Sequence, residues 1–475
     1  MTSSSTTTQL FHWADYLVFV AFLVVTILIG IFFGLKDRKK MTSKNFLTGG
    51  GSMHWSVVAL SMQASFLSAI FIVSIPIEVY AWGTMYSYLV LAYFVALPFA
   101  GHFILPVYYK LNVTSAYEYL EKRFNKVVRT ACALTFVLQT LLYMSVVLYT
   151  PALALAQVTG LSIWLAILIC GLVCTFYTFA GGMKATIWND FFQMLVIALT
   201  LLLMLIFGIV RVGSMSKVWQ ISVEGGRIEF DNFSFDPTMR TSFWTQTVGG
   251  FFVNLVMYAA NQTTIQKYIS VKTLADAKKS VWMAAVTTAL FLILVCLIGL
   301  VAYAYYATCD PFLEGRITKY DQLIPLYVMD IVGHLHGLPG LFIAATFSAA
   351  LSSLSGSLNA LSAVTLTDFI NPAYKRLKNA NLDEKARAVL SRALTLFYGI
   401  LITGLGFAAQ FFGEVLFQIA FSIFGFVGGP LTFTVVLGVF FPFVNNLGAL
   451  LGLISSFIVT SWIAVGAIIF KVLLL

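Results

Sequence analysis

The chain alternates between long apolar runs and short polar or basic joints. Runs of about bilayer-spanning length fall near 13–34, 55–75, 85–107, 132–158, 161–180, 189–211, 244–264, 281–303, 339–368, 392–413, 415–440 and 446–470. Each is read as a transmembrane helix, because backbone inside hydrocarbon must satisfy its own hydrogen bonds. The predicted architecture is therefore all-α and polytopic. The first run follows a polar Ser/Thr tail and exceeds the apolar core of a secretory signal, so it is expected to be a true span.

Three runs carry polar interruptions. The run at 55–75 contains Ser61-Met-Gln-Ala-Ser-Phe-Leu-Ser68, and a helix break is expected there, flanked by Ser65 and Ser68. The run at 244–264 contains Asn254, Tyr258 and Asn261. Gln266 and Lys267 are expected to mark a helix end at the cytoplasmic surface, with Tyr258 deeper. In the run at 339–368, Ser348, Ser352, Ser355 and Asn359 share one helical face, and Ser353 lies beside it. Small residues on such a face serve close helix packing; a row of neutral oxygens equally suits a hard cation. Both roles stay open from the residues alone.

The spans divide into a leader (1–54), a first five-helix half (55–211), an extracellular loop (212–243), a second five-helix half (244–440) and a C-terminal helix (441–475). Halves of odd helix number have opposite topology, the inverted-repeat plan of secondary transporters. The interrupted leading helix of each half marks the expected midplane site. An unwound segment near Ala64 to Ser68 offers carbonyl oxygens, and the serine face at 348–359 forms its opposite wall.

Composition agrees: of 475 residues, 60% are hydrophobic and 10% charged. The net charge of +9 raises the question of nucleic acid, but its distribution answers it. The loops at 35–54, 108–131, 181–188, 265–280 and 369–392 hold most of the 28 Lys and Arg residues. That bias places them in the cytoplasm and the N-terminus outside; the plasma membrane is the expected location. No nucleotide-binding loop occurs, so nucleotide is not an expected partner. Among the cysteines, Cys309 stands alone in an external loop and the others lie in or beside spans, with no disulfide framework. Asn112 and Asn261 are sequons in unsuitable places, which leaves Asn232 as the glycosylation candidate.

Asp190 opens a span, and two roles are open for it: ion-path acid or N-cap. Glu78, near the external end of its helix, is expected to form a structural ion pair. His102 is expected to be a satisfied core histidine. No nucleophile–base pair or transition-metal cluster is visible, so no catalytic residues and no enzyme activity are expected.

Leu60-Ser-Met-Gln-Ala-Ser-Phe-Leu-Ser-Ala69 followed by Pro76-x-Glu-Val-Tyr80 resembles the sodium/solute symporter family, in the branch of the sodium/iodide, monocarboxylate and multivitamin carriers. Supporting runs are Thr114–Phe124, Tyr149–Ala154, Gly181–Ala185 with Trp188 and Asp190, Gln266-Lys-Tyr268, Cys309-Asp-Pro311, Gly337–Phe342, Ala363–Ile370 and Gly425–Leu431. The resemblance implies a LeuT-type core of two inverted five-helix repeats, with one preceding helix and at least one following. It implies sodium as the coupling ion, bound by the carbonyls of Ala64, Leu67 and Ala349 and the hydroxyls of Ser352 and Ser353. It also implies a sodium path or second site at Ser68, Asp190, Tyr143 and Ser355. Substrate contacts are expected from Gln63, Phe66, Phe71, Asn254, Tyr258 and Asn359. The expected function is sodium-coupled import of a small organic or inorganic anion by alternating access. Alternatives are a neutral cargo such as a sugar or polyol, and a transport-inactive sensor or channel-like member. Phe71 stands where the branch commonly shows a polar residue, and Ala350 where relatives often carry a hydroxyl. Asn254 stands at a position that is bulky and aromatic in at least one relative. Relatives usually have a further C-terminal helix, so a shortened form is also expected.

Overall fold

A computed structural model describes residues 11–36, 42–111, 113–236, 239–411 and 416–470; the Asn112 sequon lies outside them. Among the described residues, nine helices are long and apolar enough to span a bilayer, or ten when one bent pair is joined. The twelve apolar runs reduce to this number for two reasons. The runs at 161–180 and 189–211 remain two helical arms, joined at a kink at Gly182 in a continuous 50-residue segment that counts once by length. The run at 244–264 is broken into short pieces.

Helix α1 (Trp13–Lys36) precedes the core. Its buried Asp15 accepts hydrogen bonds from the backbone N–H of Gly337 (2.7 Å) and Gly340 (3.1 Å). These are donors that a helix start leaves unpaired, so the first span caps the long serine-bearing helix described below. An acid inside the first apolar run was the available signal for this contact.

Helices α2 (Trp55–Phe66) and α3 (Ala69–Trp82) form the bent pair, at 64°. Leu67 (φ −78°, ψ 68°) and Ser68 (φ −77°, ψ 172°) leave helical geometry between them. After α4 (Lys126–Thr159) comes α5 (Ile163–Val212), kinked where Gly182 has φ 58° and ψ −153°. A side chain at Gly182 would meet the ring and carbonyl of Phe46 at 2.6 and 2.8 Å, so only glycine fits both the conformation and the space. The 244–264 run forms Gly250–Leu255 with a π turn on either side and stops at Asn261 (φ −76°, ψ 124°). Asn261 then caps α6 (Gln262–Tyr268) through its side chain. Next come α7 (Leu274–Tyr306), α8 (Leu338–Val364), α9 (Glu384–Ala408) and α10 (Asn446–Phe470).

Burial ranks these elements. The span containing α8 is 94% buried in its most apolar stretch, whereas α10 is 11% buried. Thus α8 is the central post and α10 lies on the outside. Helices α5 and α9 cross through reciprocal small residues: a Cβ at Gly171 would lie 2.1 Å from Thr403 Oγ1, and one at Gly399 would lie 2.1 Å from Thr175 Oγ1. Close backbone approach of this kind holds helices together where lipid tails remove the hydrophobic drive.

The ion pair expected for Glu78 is made by Arg240, whose Nε and Nη2 donate at 3.0 and 2.6 Å. Arg227 donates to the Tyr80 carbonyl at 2.8 Å, so the 227–240 stretch is tied to the end of α3. The four cysteines expected in spans are buried and Cys309 is exposed. One expectation is corrected. His102 is exposed on a π turn, with Nδ1 2.9 Å from the Pro98 carbonyl. Pro98 lies one helical turn earlier, so the ring stays on the helix surface instead of entering the core.

Candidate functional site: a helix break facing a serine wall

The break between α2 and α3 faces the serine side of α8. Ser352 Oγ donates to the Ala64 carbonyl at 2.8 Å and lies 3.0 Å from the Ala349 carbonyl; Ser353 Oγ also lies 3.0 Å from Ala349 O. Ala64, Ala349, Ser352 and Ser353 are all fully buried, and Leu67 sits at the break itself. This is a cluster of neutral oxygens from two helices, with no sulfur and no charge. Its donors fit a monovalent hard cation held weakly enough to be released. Both hydroxyls make hydrogen bonds within the cluster, and rotation turns their lone pairs toward a cation.

Gln266 and Lys267, expected at a cytoplasmic surface, are fully buried. The Asn261 break redirects α6 inward, and Lys267 finds a partner there. Its ammonium donates to Asp190 Oδ2 (2.7 Å), Ser65 Oγ (2.6 Å) and the Ser61 carbonyl (2.6 Å). Ser61 Oγ also donates to Asp190 Oδ2 at 2.6 Å. An isolated buried charge is costly unless it is paired and hydrogen-bonded, and this pair meets that condition. Asp190 lies within α5, beyond its kink, so it is not an N-cap. Only the choice of a lysine in a run otherwise read as a helix end hinted at this contact.

On the other side of the break lies a tight cavity of about 50 Å³. Gln63, Phe66, Leu67, Ser68, Phe71, Tyr143, Asn254 and Tyr258 line it, among other residues. It therefore brings together five of the expected substrate residues. Asn359, the sixth, is not among them: its Nδ2 donates to Thr186 Oγ1 at 2.8 Å, behind the serine wall. Phe66 and Tyr258 pack with ring centroids 5.2 Å apart. Tyr143 donates to Ser68 Oγ at 3.2 Å, while Asn254 is turned to its own helix, donating to the Gly250 carbonyl. Gln63 is 1% exposed, and neither its amide nitrogen nor its oxygen has a partner. Ser355 donates to the Ser352 carbonyl at 3.2 Å and is not among the residues lining the cavity. A smaller cavity of about 10 Å³ runs past Ser65, Gln139, Thr140, Asn261 and Thr263.

Beyond that cavity a latch crosses the bundle. Arg129 at the start of α4 pairs with Asp368 and Glu121. Ser115 Oγ donates to Asp368 Oδ2, and Gln262 of α6 bonds the backbone of Ala116 and Thr114. The 114–123 stretch thereby joins α6 to α4 and to the segment after α8.

A profile of the sodium:solute symporter family matches residues 46–456. Sodium-coupled monocarboxylate transporter 2 of Danio rerio is 43% identical over 97% of this chain and 73% of its own length. The human protein of that name is 42% identical over 96% and 73%. A putative sodium-dependent multivitamin transporter of Drosophila melanogaster is 40% identical over 95% and 75%. Among solved structures, a Na+-coupled sialic acid symporter in a substrate-bound outward-open state superposes with a TM-score of 0.83. It is 26% identical, covering 96% of this chain and 91% of that one.

Proposed function

The chain belongs to the sodium:solute symporter family, with its LeuT-type fold and sodium as coupling ion, and from that premise we propose that its cargo is a small organic monoanion, moved by alternating access. The observation that carries this reading is Gln63. A buried amide with both ends unpartnered, at the wall of a largely apolar cavity, is poised for a polar ligand group. Its Nε2 and the hydroxyl of Ser68, which Tyr143 orients by donating to it, offer donors to a carboxylate, and Phe66, Phe71 and Tyr258 offer an apolar surface to a short carbon chain. The monocarboxylate and vitamin cargoes named for the relatives fit this chemistry.

Sodium bound by Ala64, Leu67, Ala349, Ser352 and Ser353 joins the break to α8. This steadies the α2 end that carries Gln63 and Phe66, so ion and anion favour the same conformation. The order is sodium first, then anion, then movement of the helices that bear the break against α4, α5, α8 and α9. The five-helix halves at 55–211 and 244–440 supply these moving and static parts. A membrane potential of about 60 mV contributes roughly 1.4 kcal/mol per net charge, and a tenfold sodium gradient a further ~1.4 kcal/mol. A monoanion entering with one sodium forgoes the electrical part.

We propose the plasma membrane as its location, orient it with its N-terminus outside on the strength of the basic loops, and propose a glycan at Asn232. A neutral solute is the second reading, favoured by a cavity lining without Lys or Arg among the described residues. The test is uptake of radiolabelled lactate, pantothenate, iodide and glucose in sodium and in choline medium. Sodium-dependent uptake of the acids supports the proposal; uptake of glucose alone replaces it with the neutral reading.

A further inference from the structure

Helix α7 carries its last charges at Lys278 and Lys279; no acidic or basic residue follows before Asp310. Trp282 and Val286 stand four and eight positions beyond Lys278, and Met283 four beyond Lys279, so these side chains form two adjoining rows on one face. Trp55, the first residue of α2, lies beside them, and the two helices border an open groove of about 620 Å³. Its walls include Trp55, Lys278, Lys279, Trp282, Met283 and Val286. The groove opens toward lipid: Trp282 and Val286 are 46% and 44% exposed, on a helix long and apolar enough to span the bilayer. We propose that this groove binds one anionic phospholipid of the leaflet on the side of the basic loops, with its acidic head on Lys278 and Lys279 and an acyl chain along Trp282, Met283 and Val286.

Three observations support this. First, the polarity of the groove runs in the order of a phospholipid. Ammonium groups stand at its mouth. Indole follows one turn deeper, the side chain that settles between headgroups and hydrocarbon, and Met283 and Val286 continue into the apolar stretch. Second, the charge is available. Among the described residues Lys278 makes no ion pair, and Lys279 meets Asp276 only at 4.0 Å with its side chain 63% exposed. Two neighbouring ammonium groups favour an acidic head; a zwitterionic head would bring a further cation to the same place. Third, the walls are held. Ser280 Oγ donates to the Trp55 carbonyl at 2.8 Å, pinning the start of α2 to α7. The Trp282 ring meets the His102 ring in an edge contact, with centroids 6.1 Å apart, so the exposed His102 braces the indole. Helix α2 leads from Trp55 to the break at Leu67, so a lipid wedged at Trp55 bears on the angle of the broken helix against α7.

The proposal is independent of the cargo, and only the naming of the leaflet rests on the orientation given above. In the test, the full chain is purified in detergent micelles and titrated with phosphatidylserine or phosphatidylcholine bearing brominated acyl chains, which quench nearby indoles. Phosphatidylserine is expected to reach half-maximal quenching at about tenfold lower mole fraction than phosphatidylcholine, because each lysine at a lipid surface favours an acidic head by roughly fivefold. Lys278→Gln with Lys279→Gln should bring the two half-points together and leave quenching by phosphatidylcholine as it was. Trp282→Phe should remove part of the phosphatidylserine-specific quenching, which locates the lipid in this groove. Equal half-points for the two lipids with wild type overturn the proposal, and this arm needs no variant to fold. A preference retained by a folded Lys278→Gln, Lys279→Gln protein overturns it too, as does undiminished quenching in Trp282→Phe. Displacement of brominated phosphatidylserine by inorganic phosphate also overturns it, by showing a site for free anions.

Discussion

Ser352 Oγ stands 2.8 Å from the Ala64 carbonyl, linking two helices that are 288 positions apart in the chain. The contact crosses between the broken helix and the central post, and it joins the α2 and α8 parts of the proposed sodium cluster. Losing an oxygen that binds an ion costs about 1.5–3 kcal/mol. Ser352→Ala and Ser353→Ala should therefore each raise the sodium concentration for half-maximal uptake by roughly tenfold or more. Sodium dependence unchanged in both variants removes the cluster from the mechanism.

Gln63 makes a different prediction because it faces the cavity instead of the wall. Gln63→Ala should raise the KM for the carboxylate substrate by about tenfold, through loss of a hydrogen bond to a charged group. The sodium Hill coefficient should not change. A variant with wild-type KM would show that the carboxylate docks elsewhere, and Ser68 with Tyr143 would be examined next.

The latch around Arg129 predicts a conformational effect. Asp368→Asn removes the charge that meets the Arg129 guanidinium, whose side chain is 11% exposed. Breaking a buried pair by removing one partner costs about 3–5 kcal/mol, a cost that shifts the cycle when the pair forms in only one of its end states. A cysteine placed at Thr140, which lines the smaller cavity, should become labelled several times faster from the side of the basic loops in the Asp368→Asn background. Equal labelling rates would show that the Arg129 cluster only holds the loop in place.

Gly171 and Gly399 test the scaffold independently of transport. Alanine at either position sets a methyl group against a threonine side chain on the facing helix, an overpacking that typically costs about 1–3 kcal/mol. Each variant should lose several degrees in thermal unfolding. Retained stability would mean that α5 and α9 can separate at little cost.

Cys309 reports orientation and carries a pH signature. The exposed thiol bonds to the Glu314 carboxylate, which holds its pKa above the ordinary range. The nucleophile is the thiolate, so a raised pKa means less thiolate and slower alkylation at neutral pH, with the rate climbing as pH rises. Glu314→Gln should lower the pKa toward its usual value and speed labelling at pH near neutral. An impermeant maleimide should label Cys309 on intact cells if the N-terminus lies outside. Labelling only after permeabilisation would reverse the orientation.

Much of this molecule follows from local pattern. Span-length apolar runs become helices because lipid leaves the backbone no other partners. The interruption at Ser61 to Ser68 becomes a break, and the serines of α8 share a face because helical periodicity requires it. These features, with the family motifs, were enough to bring the Ala64 and Ser352 groups onto one candidate list. What the chain order does not state is which distant charge answers which. Lys267 reads as a surface residue because nothing near it in sequence is acidic, and it is the Asn261 break that brings it to Asp190, 77 positions away. Asn359 shares a face with the serines proposed to bind sodium yet turns to Thr186, because a helical face is wider than any one site it borders. Helix identity rests on hydrogen bonds a few residues long, and one strand of sequence suffices to read it. The partners of a buried charge are chosen by desolvation cost across the whole packed bundle, so only the tertiary structure decides them.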